Sequence, residues 1–166
     1  MSKTIILRGR KELVAVYERY IKLAGKQNQG RPQATADFVR YVAGLPNDEN
    51  TARELKLASK QSVDVSHVED DDIPSSIKVI VDVTDEEWDT AMSVFGNVFD
   101  LKANPQMPYF IRVAGMACIK KLEKENAKLE TNVANENILD IESFKSLSID
   151  EKLVKIYELL LLERRG

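Results

Sequence analysis

The strongest constraint on this chain lies between Ile77 and Leu122. Ile77, Val79, Val81 and Val83 alternate with Lys78, Ile80 and Asp82, the period-two pattern of a strand with one face buried. Thr84 follows, with Glu87 three residues on. That pair is a capping box: the hydroxyl takes a free backbone amide and the carboxylate reaches back to another. Asp85, Glu86 and Glu87 also place negative charge at the positive end of the helix dipole. Trp88, Ala91, Met92, Phe95 and Phe99 then recur at helical spacing. A polar loop from Asp100 to Met107 leads to Pro108, which suits a first helical turn. Phe110, Ile111, Val113, Ala114, Ala117, Cys118 and Leu122 form a second apolar stripe. The stretch predicts one short strand and two helices, the second reaching Thr131.

A fainter copy of the same order occupies Lys3 to Leu45. Ile5 and Leu7 fall on one strand face, and Thr4, Ile6 and Arg8 on the other. Gly9 breaks the run. Leu13, Val14, Val16, Tyr17, Tyr20, Ile21 and Ala24 make an amphipathic helix, with Gly25 as its C-terminal cap. After the polar loop Lys26 to Gln33, Thr35 is expected to cap a second helix carrying Phe38, Val39, Val42 and Leu45. The two second helices share a short pattern, Phe38-Val-Arg-Tyr-Val-Ala-Gly against Phe110-Ile-Arg-Val-Ala-Gly. The offset is 72 residues for Phe38 and Phe110, and 74 for Ile5 and Val79. A nearly constant offset is what duplication of one unit produces.

Charge follows the same partition. Residues 1–45 hold nine Lys/Arg against three Asp/Glu, and residues 46–74 hold three against eight. The first copy is therefore basic and the following segment acidic. A basic unit on a chain of net charge −3 points to a polyanion surface at one end, or to a unit that the acidic middle simply neutralises. Within 47–74, Thr51 to Lys60 reads as a short helix. Val63, Val65 and His67 allow a weak edge strand, and the Glu69–Asp72 run is expected to stay solvated and mobile. The segment is expected to be a linker. Near the end, Ser148 and Glu151 form another capping box. Leu153, Val154, Ile156, Tyr157 and Leu159 to Leu162 then make a helix apolar nearly all round, which needs covering by its own domain or by a partner.

The predicted class is mainly α with short strands, an α+β chain. Its parts are a basic unit over 1–46, an acidic linker over 47–74, a second unit over 75–131 and a C-terminal helical segment over 132–166. No apolar run reaches 18 residues, so no membrane span is expected. Met1-Ser2-Lys3-Thr4 leads straight into a strand, unlike a signal peptide. The single Cys118 excludes an intramolecular disulfide and fits a reducing, cytoplasmic setting.

Catalytic material is sparse. Cys118 and His67 are the only Cys and His, and Cys118 falls on an apolar helix face as a core thiol does. His67 beside Glu69 to Asp72 lacks the spaced ligands of a structural zinc site. Gly25 to Gly30 lacks the Gly-Lys-Ser/Thr ending of a phosphate loop. No catalytic residue, cofactor or metal is expected, and the chain is read as a non-enzyme.

A strand of alternating residues, an acidic capped helix, a loop and a helix bearing Tyr109-Phe-Ile-Arg resemble the ribbon-helix-helix DNA-binding family. The likeness is to its tandem members, the plasmid-mobilisation accessory proteins and small repressors. It spans about two-thirds of the chain, on motifs of low specificity. The resemblance implies that the two strands pair antiparallel into a ribbon that enters the major groove of double-stranded DNA, with outward side chains reading base edges. Carried over, those positions are Thr4, Ile6 and Arg8, then Lys78, Ile80 and Asp82. It also implies phosphate contact by backbone amides where the second helices start, at Thr35–Asp37 and Met107–Tyr109. Lys3, Arg10, Lys11 and Arg31, with Lys22 and Lys26, supply cations beside them. Three features depart from the family pattern. Ile6 and Ile80 are apolar, Asp82 repels phosphate, and both interhelix loops are long. The competing reading is a protein-interaction module or mobile-element modulator without DNA binding, acting through the acidic units and the Leu153–Leu162 helix on a partner or a second copy.

Overall fold

The structure is a computed structural model that describes residues 2–101 and 106–163, with the backbone alone at 133–142, 155 and 158–163. It is mainly helical with one two-stranded antiparallel sheet. Strand β1 (Ser2–Arg8) is followed by α1 (Lys11–Leu23), α2 (Gly30–Ala43) and α3 (Glu49–Lys60). A 3-10 turn at Asp70–Asp72 leads to β2 (Ser76–Asp82), α4 (Asp85–Val98), α5 (Met107–Ser146) and α6 (Ile149–Glu163). Two compact units result, Met1–Glu123 and Lys124–Gly166.

In the first unit, β1 and β2 pair along their whole length, from Ser2 opposite Asp82 to Arg8 opposite Ser76, with Ile5 opposite Val79 at the centre. The inner face is Ile5, Leu7, Ile77, Val79 and Val81, all buried. Both strands lack further neighbours among the described residues. Burial of the inner face fixes the register, because a slip of one residue would expose every buried side chain at once.

The helices close over that face. Phe38 of α2 stacks on Tyr17 at 5.9 Å and meets the edge of Tyr20 at 4.8 Å. Phe110 of α5 meets Phe95 of α4 edge-on at 5.2 Å. A Cβ on Gly115 would lie 2.4 Å from Val16 and 3.1 Å from Phe38, so α5 passes hard against α1 and α2. Such aromatic pairs each add about 1 kcal/mol beyond the area they bury.

The capping box at Thr84 is formed: Glu87 N–H donates to Thr84 Oγ1 at 3.0 Å, and Thr84 N–H to Glu87 Oε2 at 2.8 Å. Gly25 adopts φ +65° and closes α1 as expected: the Lys26 amide donates to Ile21 O and the Gly25 amide to Lys22 O, the paired bonds of a Schellman motif.

Four expectations need correction. Helix α2 starts at Gly30, not at Thr35. Thr35 is buried within it, donating to Arg31 O at 2.8 Å. Its one proton is thereby used, so the Tyr17 hydroxyl, 2.8 Å away, donates to Thr35 Oγ1. Within residues 47–74 the short helix expected at Thr51–Lys60 is present as α3, capped by Asp48 on the Thr51 amide at 2.9 Å, but the segment, expected as a linker, packs into the core. Leu55, Ala58 and Val68 of this segment are buried in the core. No strand forms between Val63 and His67; this stretch runs as irregular chain and turn. Finally, the second helix expected to stop at Thr131 runs on to Ser146.

In the second unit, the remainder of α5 and α6 are joined by Leu147 and Ser148. Ser148 and Glu151 form the expected capping box, with bonds of 2.8 and 3.3 Å. Ile149, Leu153, Val154, Ile156 and Tyr157 are exposed. The side chains of Leu159 to Leu162, named with them from the sequence, lie outside the described residues. No helix among the described residues is long and apolar enough to cross a membrane.

Candidate nucleic-acid interface

The outward face of the ribbon follows from strand period and register. Ser2, Thr4, Ile6 and Arg8 alternate with the buried residues of β1, and Ser76, Lys78, Ile80 and Asp82 with those of β2. All eight are exposed. The pairing sets them in four rows: Arg8 with Ser76, Ile6 with Lys78, Thr4 with Ile80, and Ser2 with Asp82. Rows two residues apart lie about 7 Å from each other. Ile6 is 69 % exposed and Ile80 54 %, and their rows are adjacent. The middle of the face is therefore apolar, with Thr4 and Lys78 beside it. The two aliphatic side chains make a small exposed apolar patch on the sheet face.

Of the ten positions selected from sequence, the ribbon brings together five: Thr4, Ile6, Arg8, Lys78 and Ile80. Arg10 is exposed just beyond the end of β1, at the N-cap of α1. Lys3 is half-buried on the opposite side of the strand. Its ammonium lies 2.8 Å from Asp85 and 5.4 Å from the Trp88 ring centre, and this contact holds the Asp85 carboxyl below the usual range. Lys11 is paired with Asp70 at 2.8 Å. Arg31 is half-buried in the first turn of α2. Thr35 is withdrawn altogether, since its hydroxyl is used inside the core. Lys26 is held with Tyr20 and Gln33 on Asp37, a cluster that ties the α1–α2 loop to α2. The sequence reading passed over Ser2 and Ser76. The strand alternation already pointed to them, because each shares the parity of the outward residues.

The cations left for a ligand are thus fewer than the sequence count implied. Arg8, Arg10 and Lys78 make no ion pair among the described residues, and neither does Asp82 at the far end of the face. The Asp82 carbonyl accepts from Arg40 at 2.8 Å, which fixes the end of β2 to α2.

The two residues with chemical potential elsewhere do not converge. Cys118 is buried, and desolvation pushes its thiol well up, so thiolate chemistry is suppressed there. His67 lies 3.5 Å from Glu18, on the surface of α1. No group of three or more His, Cys, Asp or Glu able to hold a metal ion forms among the described residues. In comparisons with known proteins, no family model, no curated protein and no solved structure matches the chain.

Proposed function

We propose that this chain is a non-enzymatic DNA-binding protein of the ribbon-helix-helix kind, a repressor or nucleoprotein assembly factor such as a relaxosome component. One observation carries the reading. Among the described residues, a two-stranded ribbon buried on one face presents an exposed outward face with Thr4, Ile6, Arg8, Lys78 and Ile80 on it. The major groove admits a two-stranded ribbon. There Arg8 would donate to guanine O6 and N7, Thr4 to either base edge, and Ile6 and Ile80 would meet thymine methyls. Arg10 would reach phosphate.

With Lys3 and Lys11 already neutralised, the charge available to phosphates is small. Affinity should then fall with salt at a logarithmic slope of about −2 to −3, from the three cations on and beside the ribbon face, Arg8, Arg10 and Lys78. The test is duplex binding across a salt series, for the wild-type chain and the Arg8→Ala/Lys78→Ala double variant. A loss of at least tenfold in the variant is expected. Equal affinity of the two proteins, or a wild-type chain that leaves duplex unbound at low salt, would refute the reading.

The alternative interaction role has an observation of its own: exposed Ile149, Leu153, Val154, Ile156 and Tyr157 on α6. A homo-oligomer or protein complex formed through α6 should be weakened by Leu153→Asp, read by sedimentation. A change in mass there with DNA binding absent would favour that role.

A further inference from the structure

We infer that the ribbon is a directional reader, which takes a DNA site that is not an inverted repeat. This rests on the proposed DNA-binding role and specifies its ligand. When two identical chains build a ribbon, the two-fold axis obliges both halves to present the same residues. Here one chain supplies both strands, so that obligation is lifted. The register shows how the halves have used the freedom. Pairing is symmetric about Ile5 and Val79, and the strands span Ser2–Arg8 and Ser76–Asp82, equal in length. Each outward residue of β1 therefore has an equivalent in β2.

At two of these positions the halves agree: Ser2 matches Ser76, and Ile6 matches Ile80. At the other two they diverge. Thr4 corresponds to Lys78, and Arg8 corresponds to Asp82. The last pair reverses charge at the two ends of the face, which lie about 20 Å apart at the usual strand rise. Neighbouring groups reinforce the contrast only in part. Arg10 is exposed beyond Arg8, although Lys11 there is paired with Asp70. Beyond Asp82, Glu86 is exposed and Asp85 is neutralised by Lys3.

In the groove these ends ask for opposite partners. Arg8 donates and seeks the two acceptors of guanine. Asp82 accepts only, so where symmetry would place a second guanine it is repelled by those acceptors and seeks the exocyclic amine of cytosine or adenine. The central Ile6 and Ile80 keep their shared taste for thymine methyls. The ligand is a duplex with A·T-rich centre, guanine facing the Arg8 end, and an amine-bearing base facing the Asp82 end.

The experiment is selection of duplexes from a random library by the full chain, in wild-type form and as Asp82→Arg. The wild type should enrich a directional motif, preferred at least about fivefold over its symmetrised counterpart. Asp82→Arg should enrich a motif with guanine at both ends. An inverted repeat enriched by the wild type, or retention of duplex with no motif, overturns the directional reading while leaving DNA binding intact. Recovery of no duplex at low salt overturns DNA binding and this inference with it. The wild-type arm decides the matter even if the variant fails to fold.

Discussion

Arg40 and Arg112 make the same crossing in opposite directions. Arg40, on α2, donates through Nη2 to Asp82 O at 2.8 Å and lies 3.2 Å from Glu87 in the first turn of α4. Arg112, on α5, lies 3.4 Å from Glu12 in the first turn of α1. Each arginine thus ties the second long helix of one half to the first helix of the other. These are the arginines of the two short patterns Phe38-Val-Arg and Phe110-Ile-Arg.

The two are unequal in consequence. Arg112 also donates to the carbonyls of Ser59 and Gln61 at 3.0 and 2.9 Å, which cap the C-terminal end of α3. Its Nε is buried and not aligned for a hydrogen bond with Glu12. Arg112→Ala would orphan both carbonyls and should cost about 2 kcal/mol. Arg40→Ala removes a more exposed arrangement and should cost about 1 kcal/mol or less. Urea denaturation of both variants measures the difference, and equal losses would contradict this account of α3.

Tyr17 makes stability sensitive to alkali. Burial pushes its hydroxyl from 10.0 up to about 12. The folded chain therefore holds a proton that the unfolded chain releases first. Tyr17 contributes fully below pH 10, and its contribution is lost as pH rises from there through 12. Between those values stability should fall by up to about 1.4 kcal/mol per pH unit through this group. The comparison of wild type with Tyr17→Phe in denaturant between pH 9 and pH 11.5 isolates it. Parallel pH profiles would show that Tyr17 is not responsible.

Gly9 is held by the chain that returns to β2. Its amide donates to Ser75 O at 3.2 Å, and a Cβ there would sit 1.6 Å from the Pro74 carbonyl oxygen. A backbone atom cannot rotate away as a side chain can. Gly9→Ala should destabilise by about 2–3 kcal/mol, the upper range for overpacking, measured as a lowered urea midpoint. A change under about 0.5 kcal/mol, the range of neutral surface substitutions, would mean that the β1–β2 junction yields freely.

What could be read in advance divides along physical lines. Strand alternation at Ile77–Val83, the Thr84–Glu87 box and the Gly25 cap depend on residues close in sequence, and all three appear in the structure. Thr35 misled because Gly30 and Pro32 look like loop residues. Pro32 instead sits in the first turn of α2, where a helix has no use for the missing amide. The role of α3 was hidden for a different reason. Thr51, Leu55 and Ala58 are a thin apolar stripe, and the arginine that fastens this helix is 53 residues away from Ser59. The ribbon face was legible from parity alone. The pairing of Lys3 and Lys11 with Asp85 and Asp70 was not, because a charge count cannot say which cations are already neutralised.

The ends of α1 and α4 offer a last comparison. Both close with the amide of one residue bonded to the carbonyl five residues earlier, Lys26 to Ile21 and Leu101 to Gly96. The residue before each donor is left-handed: Gly25 at φ +65° and Asp100 at φ 53°. Glycine adopts that conformation without steric cost, whereas a side chain pays about 1 kcal/mol there, somewhat less for aspartate. Asp100→Gly should therefore stabilise the protein, by about 0.5–1 kcal/mol, and Gly25→Ala should destabilise it by about 1 kcal/mol. The sign is what matters, since few surface substitutions raise stability. Calorimetric or urea unfolding of the two variants gives it directly, and a destabilised Asp100→Gly would show that the aspartate side chain supports the turn beyond its backbone conformation.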